Sequence, residues 1–151
     1  MSQVVVEKLA GVGVDEPQVE CIVGDFEAAL WKAVREVMPD EVEMRGCSFH
    51  WRQAVWRRLQ DMGLQSAYNT DDAMHQYCRQ LLALPCLPAE LIADVLDELA
   101  AEATTDAQRQ LCMYVRTTWV QSAVWPPSSW SVFYRAVRSN NDMEQRHHAA
   151  A

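Results

Sequence analysis

The sequence has no long hydrophobic run, few glycines and prolines, and fewer basic than acidic residues, and each shortage excludes a class of protein. No apolar stretch approaches the roughly 18 residues that span a membrane. Only 5 glycines and 6 prolines occur among the 151 residues, and half of all residues are hydrophobic. The composition is therefore that of a globular protein and not of a disordered chain. The formal net charge of −8 argues against nucleic-acid binding through the overall field. Any such role must be local, or carried by sequence outside this chain.

The cysteine content also narrows the class of protein. Five cysteines occur, at positions 21, 47, 78, 86 and 112, and an odd number does not suit a framework of paired disulfides. No charged segment followed by an apolar one opens the sequence, as a secretory leader would. We therefore expect an intracellular protein with reduced thiols. The length favours one domain with an ordinary core.

The hydrophobic pattern changes its period at Asp25. Residues 21–23 form a short apolar run that predicts a strand buried on both faces. From Phe26 to Val37 the apolar residues follow the period of an amphipathic helix. An acid that ends a strand beside a helix start is typical of α/β active sites, which makes Asp25 a candidate catalytic residue. The alternative is that Asp25 only caps the helix, its carboxylate accepting backbone N–H groups of the first turn.

Most of the remaining chain is predicted to be helical. Val42 and Met44 alternate with acids and indicate a second short strand, whereas residues 51–121 predict four helices. Gly63 ends the first of these and Asp71 begins the next. The fold class is therefore α/β and mostly helical. Six tryptophans are predicted to lie in the core before they serve as stacking platforms, at positions 31, 51, 56, 119, 125 and 130.

Two pairs of residues have the spacing of metal ligands. Cys47-x-x-His50 suits part of a zinc site, but a structural zinc ion takes four ligands and the sequence has no second such pair. A packed thiol and a hydrogen-bonded imidazole is the simpler interpretation. Glu144-x-x-His147 places two ligands on one helical face, where carboxylate-bridged bundles need two such pairs. Asn141-x-x-Glu144 also fits a capping box, which would explain both residues without a metal.

Several short motifs follow one another in a fixed order, and the ordered set is more specific than any single motif. They are Gly24-Asp25-Phe26-Glu-Ala-Ala, then Gly46-Cys47-x-Phe49-His50-Trp51-x-Gln53-Ala54, then Leu82-Ala-Leu84-Pro85-x-Leu87-Pro88, then Thr118-Trp119 and Trp130-Ser131, and finally Arg138-x-Asn140-Asn141-x-x-Glu144-x-x-His147. Together they resemble the transposase domain of Mutator-like elements, a family of DDE transposases. The resemblance covers about residues 20–148.

The resemblance implies an RNase H-like core, here partial, that is interrupted by a large α-helical insertion. In that arrangement residues 1–50 belong to the core, residues 51–130 form the insertion, and residues 131–151 return to the core. The activity it implies is metal-dependent cleavage and strand transfer of DNA, with Mg²⁺ or Mn²⁺ held by acidic side chains. Asp25 matches the family's second catalytic aspartate and Glu144 its terminal glutamate. Both are therefore expected to be metal ligands.

Four further residues match family positions that support the active site or face the DNA. Cys47 and His50 match the Cys-x-x-His signature, while Asn141 and His147 flank the terminal glutamate. The family's first catalytic aspartate has no counterpart, because the acids at positions 15 and 16 follow a glycine-rich turn and not a buried strand. We therefore expect a fragment or remnant of a transposase that binds its metal weakly and is inactive alone.

The partners and the alternative functions depend on the same residues. A transposase would act on DNA at transposon ends in the nucleus, away from membranes, and both self-association and a protein partner stay open. One alternative is a non-catalytic α-helical interaction module in which the acids are helix caps. The other is a small metal-binding helical protein built on Cys47, His50, Glu144 and His147.

Overall fold

The computed structural model describes residues 20–38 and 42–135, which form two short strands and a series of helices. The α/β class and the predominance of helix are as predicted. The candidate residues Asn141, Glu144 and His147 lie outside the described residues, as do the acids at positions 15 and 16. The division into core, insertion and returning segment stays a prediction.

Two parallel strands and the helix between them form the first unit of the fold. Strand β1 (Cys21–Gly24) pairs with β2 (Glu43–Gly46) in a register that sets Cys21 opposite Glu43 and Gly24 opposite Gly46. Helix α1 (Ala28–Val37) lies between them in the chain. Both strands were predicted, but β1 is not buried on both faces: Cys21 is exposed and residues 22–23 are half-buried. The reason is that, among the described residues, the sheet has no third strand.

The side of helix α1 that packs against the rest of the protein is not the side that its apolar period predicts. Its buried residue is Trp31, whereas Leu30 and Val37 on the predicted inner face are 38% and 77% exposed. Trp31 packs against Phe26 and Trp125, and these ring contacts set the rotation of the helix. A single large side chain has therefore outweighed the pattern of smaller apolar residues.

The chain between β2 and Trp130 consists mostly of helices joined by short loops and turns. The helices are α2 (Ser48–Asp61), α3 (Gln65–Thr70), α4 (Asp72–Leu82), α5 (Ile92–Glu102), α6 (Asp106–Val115) and α7 (Pro127–Trp130). Short 3₁₀ turns cover Leu84–Cys86 and Ala89–Leu91, and a π-helical turn covers Arg116–Val120. The sequence predicted four helices in residues 51–121 and missed α3. No helix among the described residues is both long and apolar enough to cross a membrane.

Local signals set two of the helix ends where the sequence predicted them. Gly63 follows α2 with φ of 71°, a conformation that side chains rarely adopt. The Asp71 carboxylate accepts the backbone N–H groups of Ala73 and Met74, which caps α4.

The main hydrophobic core lies between helices α2, α4, α5 and α6. Its fully buried side chains include Trp51, Val55, Leu81, Leu84, Ile92, Leu96, Leu111 and Val115. Four of the six tryptophans are buried, and Trp56 and Trp125 are half-buried, which confirms that they belong mostly to the core. Trp51 stacks on Trp130 with ring centroids 5.0 Å apart.

The segment after α7 returns to the proline-rich connector that precedes α5. The Val132 N–H donates a 2.7 Å hydrogen bond to the Pro85 carbonyl oxygen. The Ser131 hydroxyl donates a 2.6 Å hydrogen bond to the Leu87 carbonyl oxygen. These two bonds tie the end of the helical region to its middle.

Candidate active-site cleft

Asp25 lies at the carboxyl end of β1, and its main chain is fixed there. Its carbonyl oxygen accepts a 2.7 Å hydrogen bond from the indole N–H of Trp31. The interpretation of Asp25 as a helix cap is wrong, because the N-cap of α1 is Glu27 and no side chain caps that end. The Asp25 carboxylate is half-exposed and points instead toward α2.

The partner of Asp25 is His50, in the first turn of α2. Its Nδ1 atom lies in direct contact with Oδ1 of Asp25. The contact follows from the topology, since parallel strands end at the same edge of a sheet and α2 begins directly after β2. The structure thus unites two predicted site residues that are 25 positions apart in the sequence.

Cys47 directly precedes α2 but does not join the pair. Its side chain is only 1% exposed, and its backbone N–H donates to the Gly24 carbonyl oxygen at 2.8 Å. In residues 20–38 and 42–135, no three Cys, His, Asp or Glu side chains are grouped closely enough to hold a metal ion. Cys47 and His50 therefore lack further ligands within the described part, and the simpler interpretation of a packed thiol is supported.

A cleft of about 410 Å³ opens beside the Asp25–His50 pair. Helix α2 contributes residues at positions 50, 53, 54 and 57, a spacing that puts them on one face. The other wall comes from far along the chain. The residues that line the cleft are Asp25, Phe26, Glu27, His50, Gln53, Ala54, Arg57, Thr118, Trp119 and Trp125.

Aromatic rings hold the base of this cleft in place. Phe26 packs edge-on against Trp119 and Trp125, with ring centroids 4.7 Å and 5.8 Å apart. Trp119 in turn contacts Trp51 at 6.1 Å, which connects the cleft to the main core. Phe26 therefore packs the segment beside Asp25 against the main core.

The charge pattern at the other end of the sheet is separate from the cleft. Arg45 donates to the Glu43 carboxylate. This hydrogen bond lowers the pKa of Glu43 and raises that of Arg45. Arg135 lies 3.8 Å from the same carboxylate. These ionised groups are paired with each other and none of them lines the cleft.

Of the ten residues that line the cleft, only Asp25 and His50 were predicted as site residues, and Arg57 and Trp125 lie outside every motif of the resemblance. Arg57 lies seven positions after His50, so helical spacing alone would have put both on one face. Trp125 lies between the π-helical turn and α7, and no helical spacing relates it to His50. Its position depends on the packing of Phe26 and Trp31.

Comparison of the chain with family models, with curated proteins and with solved structures found no match.

Proposed function

We propose that the chain carries part of the catalytic core of a Mutator-like DDE transposase, with an RNase H-like arrangement around β1 and β2. In this proposal Asp25 supplies one carboxylate to a divalent metal site, and Glu144, outside the described residues, supplies another. His50 is the group that contacts Asp25 and faces the DNA-binding side of the site.

The observation that carries the proposal is the meeting of motif segments that are far apart in the sequence. The segment at Asp25 contacts the segment at His50. Phe26 packs on Trp119 of the Thr118-Trp119 motif. Trp51 stacks on Trp130. The meeting of these segments beside the Asp25–His50 pair is what a shared active-site scaffold requires.

The Leu82–Pro88 motif takes part in the same network. Its residues Pro85 and Leu87 accept hydrogen bonds from the segment that follows Trp130. Every motif of the resemblance that lies within the described residues therefore contacts another. The Arg138–His147 motif lies outside them.

The side chains of the cleft fit a hard divalent ion in part. Carboxylate oxygen is the ligand that Mg²⁺ and Mn²⁺ prefer, and Asp25 presents its carboxylate half-exposed at the cleft. When bound, such ions activate the attacking oxygen and stabilise the leaving one in phosphodiester chemistry. Asp25 would bind the ion, and His50, which already contacts it, would orient the carboxylate.

Paramagnetic broadening by Mn²⁺ tests the metal assignment even if binding is weak. The indole N–H signals of Trp119 and Trp125 should broaden as Mn²⁺ is added to the full chain, while that of Trp56, which does not line the cleft, should change less. Asp25→Asn should remove the selective broadening, and Glu144→Gln should weaken it. Asp94→Asn makes the same charge change on α5 and should leave it unaltered.

Selective broadening that persists in Asp25→Asn would show that Asp25 is not a ligand. In that case the transposase assignment loses its chemical basis. Equal broadening of all the indole signals, in every variant, would mean that Mn²⁺ binds only to the general negative charge of the chain.

A second candidate function, a helical interaction module, is favoured by α1. Leu30, Val34 and Val37 lie along one side of this helix, and none of them is buried. If a partner or a second copy binds there, Val37→Asp should abolish the association seen by light scattering over a concentration series. Lys32→Gln alters the net charge equally on an exposed position and serves as the control. If the chain is a monomer at all concentrations and no partner binds through α1, this candidate function is wrong.

A further inference from the structure

Arg57 is an arginine of α2 that lines the cleft. The neighbouring arginines of α2 are engaged: Arg52 approaches the Cys86 sulfur at 3.5 Å, and Arg58 lies over the Tyr114 ring at 5.6 Å. Within residues 20–38 and 42–135, Arg57 has no hydrogen bond, ion pair or ring contact, although it lines the cleft beside Asp25 and His50. A charged side chain left free at a cleft is available to a ligand.

The cleft that Arg57 lines offers further hydrogen-bond donors, and its acidic residues are Asp25 and Glu27. Gln53 precedes it by four residues on the same face of α2, and Thr118 lies across the cleft from another part of the chain. Together with the Arg57 guanidinium, these donors suit a ligand rich in acceptor oxygens.

We infer that the part of the cleft around Arg57 binds a backbone phosphate of a nucleic-acid strand, with Arg57 as the positioning residue. The planar guanidinium suits a phosphate group, because its parallel N–H donors match two phosphate oxygens. The inference rests on the proposed function, since it names the part of the DNA substrate that Arg57 would hold. It also reconciles a nucleic-acid substrate with a formal charge of −8, because the contact is local.

The phosphate bound by Arg57 is not the one that reacts at Asp25. Seven residues of helix separate His50 from Arg57, a rise of about 10 Å. Successive phosphates of one strand are spaced by at least ~3.4 Å along the axis. This spacing lets Arg57 hold a phosphate that flanks the reacting one and so set the register of the strand.

The test measures binding of a labelled oligothymidylate to the full chain by fluorescence anisotropy, in EDTA and at low salt. Arg57→Gln should weaken binding about tenfold, the effect of losing one charge-assisted contact. The slope of log K against log salt should fall by about 1. Arg57→Lys should recover part of the affinity. Arg79→Gln, the same charge change at an exposed position on α4, should change binding less than about twofold.

Three results would overturn the inference. One is an equal loss of affinity in Arg57→Gln and Arg79→Gln, which would indicate a non-specific field. Another is binding of a polyglutamate peptide with the same dependence on Arg57, which would make the ligand an acidic peptide. The third is the absence of any oligothymidylate binding by the wild-type chain at low salt.

The metal experiment and the phosphate experiment fail independently. Because EDTA removes divalent ions, Asp25→Asn should bind oligothymidylate as well as the wild type or better. Arg57→Gln should keep the Mn²⁺ broadening at Trp119 and Trp125. Loss of the Asp25 effect alone would contradict the metal assignment, and loss of the Arg57 effect alone would contradict the phosphate site.

Discussion

The ring of Phe26 lies against Gly46 so closely that a β-carbon at position 46 would overlap it. Gly46 pairs with Gly24 at the ends of the two strands, next to Asp25 and Cys47. The contact therefore joins the segment that follows Asp25 to the end of the strand that leads into α2. It explains why a glycine is required here although the backbone is an ordinary strand.

Gly46→Ala should reduce the free energy of unfolding by about 2 kcal/mol, because the Phe26 ring cannot move away without disturbing Trp119 and Trp125. Urea denaturation measures the loss. Gly24→Ala is the matched control, since its β-carbon would meet only the flexible ends of Met44 and Leu30, at 3.2 Å and 3.3 Å. If both variants lose the same stability, the Phe26 contact does not constrain the strand ends.

Some features of the fold could be predicted because their causes are local. The cap at Asp71 and the stop at Gly63 depend on groups within a few residues of each. The two strands were visible as short apolar or alternating runs. Helix α3 was missed because its six residues contain no buried side chain and hence no apolar period.

Other features depend on contacts between distant parts of the chain. The rotation of α1 follows from Trp31, which packs against Phe26 and Trp125, and no periodicity encodes that choice. The family resemblance assigned both Asp25 and His50 to the site, but their contact was not predicted, because it requires two strands to be parallel and adjacent. The position of Trp125 in the cleft wall could not be predicted, because it depends on the path of the chain after the π-helical turn at Arg116–Val120.

Tyr77→Phe should cost about 1–2 kcal/mol of stability, measured by urea denaturation. The Tyr77 hydroxyl is buried, donates to the Leu99 carbonyl oxygen at 2.8 Å and lies 3.0 Å from the Cys112 sulfur. Removing it leaves the carbonyl without this donor. Tyr114→Phe deletes a hydroxyl from a half-buried ring that stays stacked under Arg58, and it should be nearly neutral. Equal losses would mean that the bond from Tyr77 to Leu99 contributes nothing specific.

The five thiols should separate into two classes of reactivity. Cys21 and Cys86 are exposed, whereas Cys47, Cys78 and Cys112 are buried. Burial raises the pKa of Cys78 to about 11 and also raises that of Cys112, so both stay protonated and unreactive near neutral pH. A thiol-specific chromogenic disulfide at about pH 8 should therefore titrate two groups in the native chain and five in urea. Rapid reaction in a Cys21→Ser, Cys86→Ser double variant would contradict this packing.

The hydrogen bond between Arg45 and Glu43 should make part of the stability depend on pH. It lowers the pKa of Glu43 below its ordinary value of 4.5 in the folded state. The folded state therefore binds this proton less readily than the unfolded state, so the stabilisation is fully present above about pH 4.5 and is lost as the pH falls through the folded pKa. Because the Glu43 side chain is 47% exposed, its size should stay below about 1 kcal/mol. Glu43→Gln should lower the free energy of unfolding by this amount at neutral pH and by progressively less in acid. Arg45→Gln should remove most of the difference, since only the more distant Arg135 then remains beside Glu43. A difference that grew as the pH fell would require the opposite sign of the pKa shift.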